Sequence, residues 1–551
     1  MYIASTNILT ASGQGTVEVF SLMTEAKSLA SPCSVPGITD EVPAYRIRYA
    51  IEDTPVGMTR LEALVKEALN GVSLDIPGRW GIVLSTTKGN VDADVAQPLS
   101  QFAQNIAKFV DVQMNDVWIV STACISGVTA TVMADRLISS GKYDNVVVIG
   151  ADEVSSFVSS GFESFKTVSR QLCRPFDKDR DGLTLGEAVG IIVLTNNKTY
   201  SSGISIYGGA MSNDANHISA PSRTGAPLAW TMNESLRQAQ LSIEDIDMLN
   251  VHGTATLYND EMESKAMGLC NAQNIPLNSF KPFLGHTLGA CGVVEISLCC
   301  EQLRKGLVLG VVTLSELGTP VRVNISKENR SIERSNFLLK VASGFGGSNA
   351  SLVLGKGDNA HIVCADITTK TLRTISVRNN TIRRDDEIIM TADDTPLLLR
   401  NAYNALAIDH PRFLKMDRLC KMGFIASEYL LSEFDHLIAA NPTDYCMVLM
   451  SYNGCVTSDL KHQKSFEQNG AGSPAIFVYT LPNIVLGEIC IRRHIQGETT
   501  MLMSADKYHS DISKAEEYAK MIMRTTGCRR AIVGFIEDYE CCISLIESVE
   551  T

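Results

Sequence analysis

Short apolar runs alternate along this chain with amphipathic stretches. The segments 80–84, 117–120, 145–149, 190–194, 248–251 and 352–354 are brief, rich in valine, isoleucine or leucine, and bounded by turn residues, which predicts strands. Between them, 58–69, 127–137 and 298–305 carry apolar residues at helical spacing. The alternation predicts an α/β protein. After Leu354 the sequence GKGDN is rich in turn formers, and a new strand-like segment begins near His361. A domain boundary is therefore expected at 356–364.

A repeat crosses that boundary. MTRL at 58–61 returns as MDRL at 416–419, and GIVLSTTKGN at 81–90 as CMVLMSYNGC at 446–455. Asn105-Ile106 returns as Asn483-Ile484, and the strand–turn–helix–Gly–strand unit that starts at Val117 returns from Thr500. The matches keep their order. Their offset starts at 358 residues (416 minus 58) and only grows, as loop insertions in the second copy produce. The chain thus reads as one complete unit followed by a second copy of its first half.

Length and composition narrow the function. With 551 residues against roughly 150 for one domain, two or more cores are expected. Hydrophobic residues are 45% and charged residues 20%, an ordinary globular balance. The 48 basic and 61 acidic residues leave a net charge of −13, which argues against nucleic acid or an anionic membrane as partner. No apolar run reaches the roughly 18 residues of a membrane span. The first residues show no basic segment ahead of an apolar core, so a cytoplasmic location is expected. The 15 irregularly spaced cysteines then read as reduced thiols.

One of those cysteines stands apart. Cys124 lies in STACISG, after a predicted strand and before a predicted helix, with Ala123, Ser126 and Gly127 as small neighbours. A helix N-terminus at that position is expected to lower its thiol pKa. NVHGTAT places His252 at a strand end, and KPFLGHTLGACG places His286 on a glycine-flanked turn with Lys281 five residues earlier. SGFGGSN sets a glycine-rich turn around Phe345. Two of only nine histidines on such turns point to a nucleophile served by imidazoles. Asp177-x-Asp179-x-Asp181-Gly182 opens like a calcium loop, but its twelfth position is Ala188, so no metal is expected there. Gly344-x-Gly346-Gly347 lacks the dinucleotide spacing.

With RPFDKDRDGLTLGEAVG at 174–190, these motifs make residues 1–356 resemble the β-ketoacyl-ACP synthases, the condensing enzymes of fatty acid and polyketide synthesis. The resemblance implies a thiolase-like fold layered α-β-α-β-α, with two mixed five-stranded sheets. It implies halves at 1–200 and 201–356, plus an extra half-unit at 365–551. It assigns Cys124 as nucleophile, His252 and His286 as the paired histidines, and Lys281 with Glu263 as a supporting charge pair. Asp260 matches the acidic position before that glutamate, and the N–H groups of Cys124 and Phe345 are assigned to an oxyanion hole. The implied reaction joins an acyl group on Cys124 to malonyl carried on acyl carrier protein. No cofactor is implied, because the phosphopantetheine arm arrives on the carrier. A homodimer, or a heterodimer with a ketosynthase-like chain, is implied as well. The matching turn has no cysteine where a degradative thiolase carries its second one, and His286 stands where initiating synthases carry asparagine. Ala255 and Ser343 depart mildly from the family pattern. Two alternatives stay open: a non-catalytic chain-length or assembly subunit, and an acyltransferase or hydrolase on the same fold.

In 365–551 the elbow reads SADKYHSDIS and both catalytic histidines are missing, so loss of catalysis is expected there, with His509 as an exposed histidine. Such a half is expected to cap a sheet edge or supply a dimer-like surface. Lys166, Arg170 and Arg174 are the candidate basic patch for an acidic carrier.

Overall fold

A computed structural model of the chain describes residues 1–25, 31–35, 37–48, 54, 57–359 and 367–549. Most of the expected boundary, 360–364, falls outside them. Strands β1 (Tyr2–Thr10), β2 (Trp80–Ser85), β3 (Val117–Val120), β4 (Asn145–Asp152) and β5 (Ala188–Thr195) form a mixed sheet in the order β3-β2-β4-β5-β1. A second sheet, from β6 (Ile204–Asn213), β7 (Met248–Asn250), β8 (Leu277–Asn278), β9 (Phe337–Gly344) and β10 (Ser348–Lys356), has the order β8-β7-β9-β10-β6. The third comprises β11 (Thr369–Arg378), β12 (Thr381–Arg384), β13 (Glu387–Thr391), β14 (Tyr445–Ser451), β15 (Thr499–Met503), β16 (Arg530–Ile536) and β17 (Cys541–Ser548). Its order is β15-β14-β16-β17-β11, extended by the β12–β13 hairpin. One order, with one strand reversed, thus appears three times.

The helices that matter for the site are α1 (Arg60–Leu69), α2 (Leu99–Val110), α3 (Ser126–Ser139), α4 (Ser156–Ser164), α5 (Cys291–Lys305), α6 (Arg418–Leu431), α7 (Val456–Asn469), α8 (Ile484–Arg493) and α9 (Ser513–Thr526). Helices α3 and α5 lie between the first two sheets, the expected middle layer, while α1 and α2 cover the outer face of the first sheet. Glycine decides how close the middle pair can come. A Cβ on Gly127 would sit 2.6 Å from Val293 N, and one on Gly292 would sit 2.3 Å from Val128 N.

The repeat holds down to single hydrogen bonds. Thr59 and Asp417 are the N-caps of α1 and α6. Asp152 at the end of β4 accepts from Thr86 Oγ1 at 3.0 Å and Thr87 N at 3.1 Å, and Glu537 after β16 accepts from Ser451 Oγ at 3.0 Å and Tyr452 N at 2.5 Å. One sequence match does not hold: Asn105 sits inside α2 bonded to Glu62, whereas Asn483 precedes α8 and bonds elsewhere. The growth of the offset after residue 455 has its cause in α7, an insertion of the second copy.

The two copies meet edge to edge. β15 runs antiparallel to β3, with Leu502 opposite Val120 and Met503 opposite Ile119, so the first and third sheets are continuous. The β3 edge of the first sheet is therefore occupied within this chain. Arg136 in α3 closes a buried bidentate pair with Glu498 at 2.6 and 3.0 Å. Lys88 reaches Asp459 in α7 at 2.6 Å. Among the described residues no single helix is long and apolar enough to cross a membrane.

Candidate active site

The site forms where β3 ends, at the junction of all three sheets. Cys124 sits in a single turn between β3 and α3, preceded by Ala123 at φ +48°, a left-handed strain that an alanine adopts only when its surroundings impose it. Ala255 and Leu288, near the two histidines, share that conformation at +61° and +55°. His286 Nε2 lies 3.1 Å from Cys124 Sγ. The His252 ring lies edge-on to His286, centroid to centroid 5.2 Å. The structure thus brings together Cys124, His252 and His286 from separate segments.

Burial sets the protonation states. It pushes the Cys124 thiol up to about 12, helped by the Asp152 carboxylate and opposed by the Lys281 ammonium and the backbone N–H groups of Cys124 and Phe345. The lowered thiol pKa expected from the helix N-terminus is therefore overturned: desolvation in the substrate-free site outweighs the dipole. Burial, with Lys281 second, brings His286 down to about 3 and His252 well below its ordinary value. At neutral pH a neutral thiol faces two neutral imidazoles.

The expected charge pair also needs correction. Lys281 does not pair with Glu263. Its Nζ lies 2.8 Å from Glu295, which also receives Lys340 at 2.5 Å, and 3.5 Å from His252 Nδ1. Glu263 accepts the backbone N–H groups of His252 and Gly253, both at 2.7 Å, and so fixes the loop that carries the histidine. Burial, then Asp260, raises Glu263 to about 7. Asp260, itself raised by burial to about 6, accepts Phe176 N at 2.8 Å and anchors the 174–190 segment.

Cys124, His252 and His286 offer ligand atoms all within 4.8 Å of one another, as do His252, Cys291 and Glu295. The ammonium groups of Lys281 and Lys340 beside both sets oppose a divalent cation.

The C-terminal half reaches this site. The cavity beside Cys124 is bordered by Phe162 and Phe345 from the first copy and by Phe477, Thr480 and Leu481 from the second. Its free volume of about 20 Å³ holds about one water. The Phe477 ring lies 5.6 Å from that of Phe162, and a Cβ on Gly161 would meet it at 2.2 Å. The second elbow holds no thiol. Its His509 is buried rather than exposed, stacked 4.1 Å from Phe535 with Nε2 3.5 Å from Glu537. Of the basic patch, Arg170 is paired with Glu163 while Lys166 is exposed.

Residues 85–199 match the family model "Beta-ketoacyl synthase, N-terminal domain", and residues 204–315 match "Beta-ketoacyl synthase, C-terminal domain". Over these two segments the chain is similar to the beta-ketoacyl synthases. The 3-oxoacyl-[acyl-carrier-protein] synthase 2 of Rhizobium meliloti (strain 1021) is 34% identical over 251 residues, 43% of this chain and 59% of its own length. The tetracenomycin polyketide synthase ketoacyl synthase alpha subunit of Streptomyces glaucescens is 29% identical over 256 residues, 44% of this chain and 60% of its own. The chain thus spans about three fifths of these beta-ketoacyl synthases. The ketosynthase ApeO in complex with its chain length factor ApeC, from Xenorhabdus doucetiae, superposes with a TM-score of 0.59 at 26% identity, over 65% of this chain and 98% of that one. A structure titled "PfaC Keto synthase-Chain length factor" superposes with a TM-score of 0.73 at 15% identity, over 99% of this chain and 78% of that one, a likeness of fold.

Glu295, Lys340, Asn483 and Phe477 escaped the sequence reading. Glu295 and Lys340 left a signal: each is a lone charge in an apolar segment, GVVEISL and FLLKVAS.

Proposed function

We propose that the protein is a decarboxylating condensing enzyme that lengthens an acyl chain held on Cys124, with malonyl delivered on acyl carrier protein. The observation that carries this reading is Cys124 Sγ 3.1 Å from His286 Nε2, with His252 beside it and two backbone N–H groups aimed at the sulfur.

The sulfur attacks the thioester carbonyl of an acyl carrier while its proton passes toward His286. The N–H groups of Cys124 and Phe345 stabilise the tetrahedral oxyanion, and the carrier thiol leaves with the proton. Malonyl thioester then takes the carrier's place. Its carboxylate leaves as carbon dioxide, and the electron pair of the broken C–C bond becomes an enolate. The imidazole N–H groups of His252 and His286 hold the enolate oxygen, and they are neutral donors because burial and Lys281 keep both rings unprotonated. The enolate carbon bonds to the acyl carbon, and the Cys124 sulfur leaves.

In this reading the half at 365–551 occupies the position of a second ketosynthase-like chain and walls the acyl site with Phe477, Thr480 and Leu481. Exposed Lys166 near the site suits an acidic carrier. Free thiols at all thirteen cysteines with described side chains suit a cytoplasmic setting.

The test is intact-protein mass after mixing with carrier protein bearing a short acyl chain, with Cys124→Ala alongside. Gain of the acyl mass by the native protein alone is the expected result. No adduct with several acyl lengths would return the non-catalytic subunit reading.

A further inference from the structure

The turn Gly344–Gly347 holds the Phe345 N–H over the Cys124 sulfur, yet it is conformationally soft. Gly346 and Gly347 take φ of +87° and +71°, outside any ladder, so anchors must fix it. Three anchors come from the second sheet's own half: Gly346 N donates to Ile218 O at 2.7 Å, Asp214 N to Gly347 O at 2.6 Å, and Asn213 Nδ2 to Gly346 O at 2.9 Å. The fourth crosses from the C-terminal half. Asn483 Nδ2 donates to Phe345 O at 2.8 Å.

This contact has a built seat. Asn483 is 1% exposed and stands at the start of α8, and its Oδ1 has no hydrogen-bond partner. A flipped amide would set two oxygens face to face, so the donor orientation is the one the carbonyl selects. One turn along the same face, a Cβ on Gly487 would lie 2.7 Å from Gly346 O, and a Cβ on Gly346 would lie 2.5 Å from Asn483 Nδ2. Two glycines thus admit the amide to the turn. On its other side the Phe345 ring packs 5.6 Å from Phe165 and 6.2 Å from Phe162. With the carbonyl held by Asn483 and the ring by two phenylalanines, one direction is left for the Phe345 N–H.

We infer that Asn483 is a positioning residue for the condensation: the C-terminal half sets the oxyanion donor of the first half. The inference rests on the proposed reading of Cys124 and Phe345. It makes the appended half part of turnover, in addition to its place in the wall of the acyl site.

The test compares two reactions of one sulfur. Acylation of Cys124 by a short acyl-pantetheine thioester passes through an oxyanion, whereas alkylation by iodoacetamide does not. In Asn483→Leu and Asn483→Asp, each close to asparagine in size and unable to donate, acylation should slow about tenfold or more, with kcat falling and KM nearly unchanged. Alkylation should stay within about twofold. Gly487→Ala, whose methyl presses on Gly346 O, should show the same split and carries the test if the Asn483 variants fail to fold. Equal slowing of both reactions would mark a merely structural contact, and an unchanged acylation rate would overturn the inference alone. Failure of the unsubstituted protein to acylate would overturn the reading beneath it as well.

Discussion

Lys281 is paired with Glu295, 2.8 Å away, and the same carboxylate also pairs with Lys340. All three side chains are buried, so two cations share one anion directly beneath His252. Burial, with Lys281 second, keeps both histidines neutral, and the net positive charge favours an anionic sulfur. Removing the carboxylate leaves two unpaired buried cations. Glu295→Gln should therefore cost about 3–5 kcal/mol in denaturant unfolding, and a loss under about 1 kcal/mol would contradict the bridging role.

Arg136 and Glu498 form the corresponding pair between the halves, with Tyr518 Oη 3.1 Å from the guanidinium. Arg136→Met strands a buried carboxylate and should lower stability by about 3–5 kcal/mol. Arg136→Met with Glu498→Leu should recover part of that loss, because no charge is then left alone. A double variant as unstable as the sum of the singles would show that the two residues do not interact.

The thiol should titrate late. With Cys124 pushed up to about 12, the thiolate fraction grows tenfold per pH unit across the neutral range. Iodoacetamide alkylation of the substrate-free protein should therefore climb without a plateau from pH 7 to 9.5. A plateau below pH 8 would reveal a thiolate–imidazolium pair in place of two neutral groups.

Phe477 fills the far side of the cavity next to Cys124. Phe477→Ala should widen it, cost about 3–5 kcal/mol of stability and shift the accepted acyl groups to longer chains. Acylation measured over a ladder of acyl lengths checks this, and an unchanged length profile would exclude Phe477 as a boundary.

Much of this was visible in sequence, for reasons that differ by residue. Cys124, His252 and His286 stand on small-residue turns, and in the proposed reading that is the local mark of groups that must be approached closely. The repeat was readable because a strand and its turn recur together, as Asp152 and Glu537 show by accepting the same bonds. What failed was whatever depends on distant neighbours. The thiol pKa depends on desolvation by residues far along the chain. The partner of Lys281, Glu295 on α5, stands out as a lone charge in an apolar run, but nothing local says which cation it meets. Asn483 resembled Asn105 only by its neighbouring isoleucine, and nothing local marks the carbonyl it meets in another half.

The antiparallel pairing of β3 with β15 joins positions some 380 residues apart in a single polypeptide (502 minus 120 is 382). Docking of the second copy is consequently unimolecular, and its equilibrium does not depend on protein concentration. Two separate chains meeting at this edge would fall apart on dilution and would require matched expression. Here translation itself fixes a one-to-one ratio, and a site sharing residues from both copies persists at any dilution at which the chain stays folded.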